Sequence, residues 1–139
     1  MKALNLKSIF FMAAIALVSF SSCKKDNEGI IAPVPAPTAA GTWTGLYGGG
    51  NNVPSNYFSF VINANGTMII KSGNVNNPDL GPGTWTITDG IFKALYNYDF
   101  DPAFKYNVSA KIDLVKNTMD GSWGFGETVA DKGSFTMTR

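Results

Sequence analysis

The chain has 139 residues, with 11 Lys and Arg against 10 Asp and Glu for a net charge of +1, one cysteine and no histidine. A single cysteine excludes a disulfide framework, and the balanced charge leaves no basic face for nucleic acid. Without histidine, and with no pair of carboxylates at an evident shared site, no catalytic residue, enzyme activity or cofactor is expected. The first element is a basic stretch, Met1 to Lys7, followed by an unbroken apolar run, IFFMAAIALVSF, from Ile9 to Phe20. A membrane-spanning helix needs about 20 apolar residues, so this run is too short to be one. A basic head, a short apolar middle and the small residues Ser21 and Ser22 read as a secretory signal over residues 1–22.

The signal runs into the sole cysteine as SFSSC, Ser19 to Cys23. This stretch resembles the lipobox of bacterial lipoproteins, with Phe20 in place of the usual leucine as in the looser boxes of the Bacteroidetes type. The resemblance implies that Cys23 becomes the mature N-terminus, is acylated, and holds the protein to membrane lipid in the cell envelope, at the outer membrane. Each buried CH₂ of an acyl chain contributes roughly 0.8 kcal/mol, and several chains anchor firmly. The following KKDNE, Lys24 to Glu28, reads either as the charged start of a linker or, by the same resemblance, as a surface-export tag. Pro33, Pro35 and Pro37 then favour an extended, semi-rigid spacer. Residues 23–40 are therefore read as a tether, and residues 41–139 as one folded domain.

That domain carries seven basic and eight acidic side chains, a net charge of −1, and its glycine, threonine, asparagine and aromatic content is that of an all-β protein. Alternation of apolar and polar residues marks half-buried strands, because successive side chains point to opposite faces. In chain order the expected strands are Thr42–Tyr47, Asn56–Asn63, Thr67–Ser72, Gly83–Thr88, Ile91–Tyr98, Phe104–Leu114, Asn117–Gly126 and Gly133–Arg139. The clearest is FKYNVSAKIDL, with Phe104, Tyr106, Val108, Ala110, Ile112 and Leu114 on a dry face and Lys105, Asn107, Ser109, Lys111 and Asp113 on a wet one. Tight turns fall at Asn63–Gly66, Thr88–Gly90 and Val115–Asn117; longer links begin at Gly48, Ser72, Asp99 and Glu127. Short and long links alternate, so an up-and-down meander collects the tight turns at a floor and the long loops at a rim. Closing eight such strands into an antiparallel barrel removes exposed edges.

All three tryptophans stand in one frame: GTW at Gly41–Trp43, GTW at Gly83–Trp85 and GSW at Gly121–Trp123. Glycine admits a close neighbour, the hydroxyl residue faces water and the indole faces inward. The first copy, a glycine-X-tryptophan opening strand one of an eight-stranded meander, resembles the lipocalin and avidin group, the calycins. In that group this tryptophan packs against an arginine near the end of the last strand, and the resemblance implies a floor pair of Trp43 with Arg139. The residues avidins use for biotin have no match here, so biotin is not carried over.

Taking Gly83 as a strand start places Trp85 at the mouth, with Trp43 at the floor and Trp123 midway. A pocket, if the inward aromatics leave one, would be lined by Trp85, Phe60, Tyr96, Tyr98 and Phe125, and would bind a small apolar or aromatic ligand. With a filled interior, the alternative is a surface or periplasmic interaction or inhibitor-like module that meets a protein or glycan through its rim loops. Asp99 and Asp101 are too few acids for a calcium site, and no metal is expected. On this reading limited proteolysis nicks Gly48–Pro54 or Val75–Pro82 first; a first cut at Asn65-Gly66 would contradict the arrangement of loops.

Overall fold

The computed structural model describes residues 38–139; Cys23, the signal stretch and the tether up to residue 37 lie outside the described residues. Eight strands follow one another: β1 Gly41–Gly49, β2 Asn56–Ile62, β3 Thr67–Asn74, β4 Asn77–Thr88, β5 Ile91–Tyr98, β6 Asp101–Asp113, β7 Thr118–Phe125 and β8 Gly133–Thr138. Each pairs antiparallel with the next, and β1 pairs with β8, so the sheet closes into an up-and-down barrel.

The inward parity of each strand supplies the core. Trp43, Phe58, Phe60, Met68, Ile70, Phe92, Met119, Phe135 and Met137 are all buried. Each such side chain contributes about 1.5–3 kcal/mol by leaving water, and together they fill the barrel from its floor upward. Phe92 stacks at 18° on Phe60 and on Trp85, with centroids 6.0 and 5.9 Å away.

The floor turns are built from side chains that bond their own backbone. Asn65 Oδ1 accepts from the Thr67 N–H at 3.1 Å and the Thr67 hydroxyl at 2.7 Å, and Gly66 takes φ +86°. Asp113 Oδ1 accepts from the backbone N–H groups of Lys116 and Val115, which hold its carboxyl below the usual carboxylate range.

Two of the rim links expected as long loops are instead tight hairpins. Asn74 pairs with Asn77 and Tyr98 with Asp101, so β4 begins six residues before Gly83 and β6 begins at Asp101. Pro78 and Pro82 hid the first of these. They share the parity of Leu80, whose carbonyl accepts from Asp99 on the β5 side, whereas Trp85, of opposite parity, donates toward β3. The β4–β5 register starts only at Gly83 opposite Tyr96. Both prolines therefore lack an N–H where the β3 ladder does not need one, a position sheets tolerate. The remaining rim loops are 50–55 and 126–132.

One further expectation is corrected. Asn107, assigned to the wet face of β6, is buried beneath the β7–β8 loop, and its side-chain amide donates to the carbonyls of Phe125, Gly126 and Val129 at 3.1 to 3.3 Å. The loop thus folds back over the outside of the wall, where Gly124 leaves no room for a side chain beneath the Val129 carbonyl.

Glycine also sets how closely strands cross. A Cβ at Gly45 on β1 would stand 1.8 Å from the Thr136 carbonyl oxygen of β8, and one at Gly121 would meet the Ser109 carbonyl at 2.3 Å. Both obstacles are backbone, which cannot turn aside as a side chain can. Gly45→Ala should lower stability by about 3 kcal/mol, the upper range for overpacking, read as a shift in urea midpoint. Gly49→Ala, with open space at its Cβ position, should stay close to the parent.

Candidate functional site: an aromatic mouth

The filled interior stops at Phe58 and Phe60, whose rings meet edge to face at 4.8 Å. Above them a cavity of about 270 Å³ opens at the rim, lined by Tyr47, Phe58, Ser72, Asp79, Tyr96, Tyr98, Phe100, Tyr106, Trp123 and Phe125. Its walls differ. β1, β5, β6 and β7 supply the aromatic side, while β3 and β4 supply a polar side from Ser72 and Asp79, which are register partners.

Ring-to-ring contacts make the aromatic wall continuous. Tyr47 meets Trp123 at 90°, Trp123 meets Phe125 at 73°, Phe125 meets Tyr106 at 72° and Tyr106 meets Tyr98 at 76°, with centroids 5.0 to 5.9 Å apart. Such edge-to-face pairs add about 0.5–1.5 kcal/mol each beyond burial, which holds the wall in shape without a ligand. Tyr96 stacks on Tyr106 at 15° and Tyr98 on Phe100 at 10°.

The hydroxyls at the base of the mouth are neutral under ordinary conditions. Tyr98 Oη lies 2.7 Å from Ser72 Oγ. Burial pushes the Tyr98 phenol up to about 12 and raises Tyr96 well above its ordinary value. Tyr106 is also raised, first by burial and then by the nearby charge of Asp101.

Of the residues expected to line a pocket, Tyr96, Tyr98 and Phe125 come together here. Phe60 lies one layer below, fully buried. Trp85 does not reach the mouth: with β4 starting at Asn77, it sits near the floor, and its indole N–H donates to the carbonyls of Asn63 and Thr67 at 3.0 and 3.1 Å. Trp123, expected midway, takes the upper position and donates to the Gly48 carbonyl at 2.9 Å. Tyr47 and Tyr106 were visible by inward parity; Asp79 lay in a stretch that read as loop.

At the floor, the Arg139 guanidinium lies 5.2 Å over the Trp43 ring. It also donates to the carbonyls of Thr38 and Ala40 and to Asn117 Oδ1. Trp43 donates to the Ala39 carbonyl at 2.8 Å. These contacts tie Thr38, Ala39 and Ala40 to the start of β1 and the end of β8.

A larger concavity, about 440 Å³, lies under the β7–β8 loop, among Thr84, Trp85, Thr86, Lys93, Ala94, Leu95, Asn107, Val108, Ser109, Glu127 and Thr128. Its lining mixes the polar solvent face of β4 to β6 with the β7–β8 loop and holds one aromatic residue, Trp85, so it lacks the clustered rings that enclose a small guest. The smaller mouth has the enclosure and the aromatic area. Among the described residues no group of three or more acidic, histidine or cysteine side chains could hold a metal ion. Comparison with family models, curated proteins and solved structures finds no match to this chain.

The tyrosine shifts have a measurable consequence. Because the folded state raises Tyr98 above its unfolded value near 10, its contribution is intact below that pH and is lost as pH climbs from about 10 to about 12. The unfolding free energy from urea titrations across that window should fall, by on the order of 2–3 kcal/mol for this residue at the upper end. Tyr98→Phe should flatten part of that decline.

Proposed function

We propose that this protein is a lipid-anchored lipoprotein of the cell envelope, of the Bacteroidetes type, and that it captures a small apolar or aromatic molecule without chemical conversion. The anchor is Cys23, acylated at the end of the SFSSC box and held in the outer membrane by its lipid. Thr38 and Ala40, just before β1, are held by Arg139 at the tight-turn end of the barrel.

The observation that carries the binding reading is the aromatic mouth above a filled interior. Its volume, about 270 Å³, lies just under the usual range of about 300–1,000 Å³ for small-molecule pockets, which limits the guest to a compact molecule. Tyr96, Tyr98, Trp123 and Phe125 are the contact residues; Trp85, at the floor, is not proposed as one.

A second reading rests on a separate observation. Each of the four rim connections carries an exposed apolar side chain: Val53 at 83%, Val75 at 62%, Phe100 at 67% and Val129 at 54%. Apolar groups gathered at one end suit a protein partner, which makes the rim an interaction or inhibitor-like surface in the alternative function.

Two measurements check these proposals. Titrating the protein with indole by calorimetry should give a saturable heat of binding that is weakened at least tenfold in Trp123→Ala. A response that is absent, or unchanged in that variant, removes the mouth as a binding site. Separately, Cys23→Ala should abolish incorporation of labelled fatty acid and release the protein from the membrane fraction.

A further inference from the structure

We infer that the mouth selects organic cations, specifically compact tertiary or quaternary ammonium compounds, with Asp79 as the counter-charge and the surrounding rings as the cage. This inference deepens the binding reading and rests on it. Among the residues that line the cavity, Asp79 is the only charged one. It shares the inward parity of Gly81 and Gly83 on β4 and stands opposite Ser72 on the polar side of the cavity, exposed at the rim beside Gly73. No salt bridge involves it among the described residues, where Lys116 pairs with Asp113 and Lys132 with Asp131. Asp101 adds a second negative charge beside Tyr106 on the facing hairpin. No lysine or arginine lines the cavity. The local field therefore favours a positive guest and opposes an anion.

The rings have the form that such a guest needs. A cation is attracted to the face of an aromatic ring, and quaternary ammonium groups are held where several faces converge. Neighbouring rings at right angles make corners, and the wall is built of them: Tyr47 against Trp123 at 90° and Tyr96 against Tyr98 at 88°. A bare metal ion fits less well, because it needs several hard oxygen ligands. Here Asp79 is the sole lining carboxylate, and the Ser72 and Tyr98 hydroxyls already bond each other. An alkylammonium asks for one counter-charge and apolar contact, which this site supplies.

The test compares choline with 3,3-dimethylbutan-1-ol, its uncharged carbon isostere, by calorimetry on the full chain, with indole as the probe of the mouth itself. Choline should bind at least tenfold more tightly than the isostere. Its affinity should fall when sodium chloride is raised from 20 to 500 mM, with the isostere and indole unaffected. Asp79→Asn should remove the preference for choline over the isostere. Equal binding of choline and isostere, or choline binding indifferent to salt and to Asp79→Asn, overturns the cation inference alone. Indole binding without choline binding does the same. Failure of all three probes removes the binding reading beneath it. The salt comparison uses the unaltered protein, so the inference stays exposed to refutation even if the variant does not fold.

Discussion

β1 is hydrogen-bonded along both edges, to β2 from Gly41 to Tyr47 and to β8 from Thr44 to Gly49. That double pairing is what turns a meander into a barrel, and it rests on a backbone approach at Gly45 too close for any side chain. A sheet of this length left open would present two edges able to pair with other molecules. Closed, it forces every inward side chain into one shared volume. The large residues on that parity then have no choice but to pack against each other, and the mouth is what remains where they run out.

The recurring glycine-X-tryptophan frame follows from the same crowding. Two residues before each indole, a Cβ would meet a neighbour closely: Arg139 at 3.1 Å for Gly41, Tyr96 at 2.8 Å for Gly83 and Ser109 at 2.3 Å for Gly121. Each indole N–H then finds a backbone carbonyl outside its own strand: Trp43 that of Ala39, Trp85 those of the β2–β3 turn, and Trp123 that of Gly48. The three tryptophans are thus pins at separate places, one at the incoming chain, one at the floor and one at the rim. A buried indole N–H left without an acceptor would cost about 1–3 kcal/mol, so each pin also fixes the position of the carbonyl it holds.

Parity was legible in the sequence because it is a local property of an extended chain. The inward set, the order of the strands and the tight turns at Asn63–Gly66 and Val115–Asn117 all follow from neighbours a few residues apart. Height along the barrel was not. It depends on where a strand begins, and NPDLGPG, with two prolines and few apolar residues, has the composition of a loop. Six residues of β4 were missed there, so Trp85, expected at the mouth, lies near the floor, while Trp123, expected midway, takes the upper position. Asn107 was hidden for another reason: what buries it is a loop more than fifteen residues away, which no alternation along β6 records. Cys23 is argued from its motif alone and lies outside the described residues.

The packed stack beneath Phe58 has a kinetic meaning. Because the rings of Phe58, Phe60 and Phe92 occupy the depth of the barrel, a guest of the kind proposed above would keep one side in water and would not be swallowed. Departure needs no lid to lift and no wall to part, so occupancy tracks the surrounding concentration from moment to moment. On the proposed binding reading, such a vessel would be ill suited to hoarding cargo and well suited to passing it on.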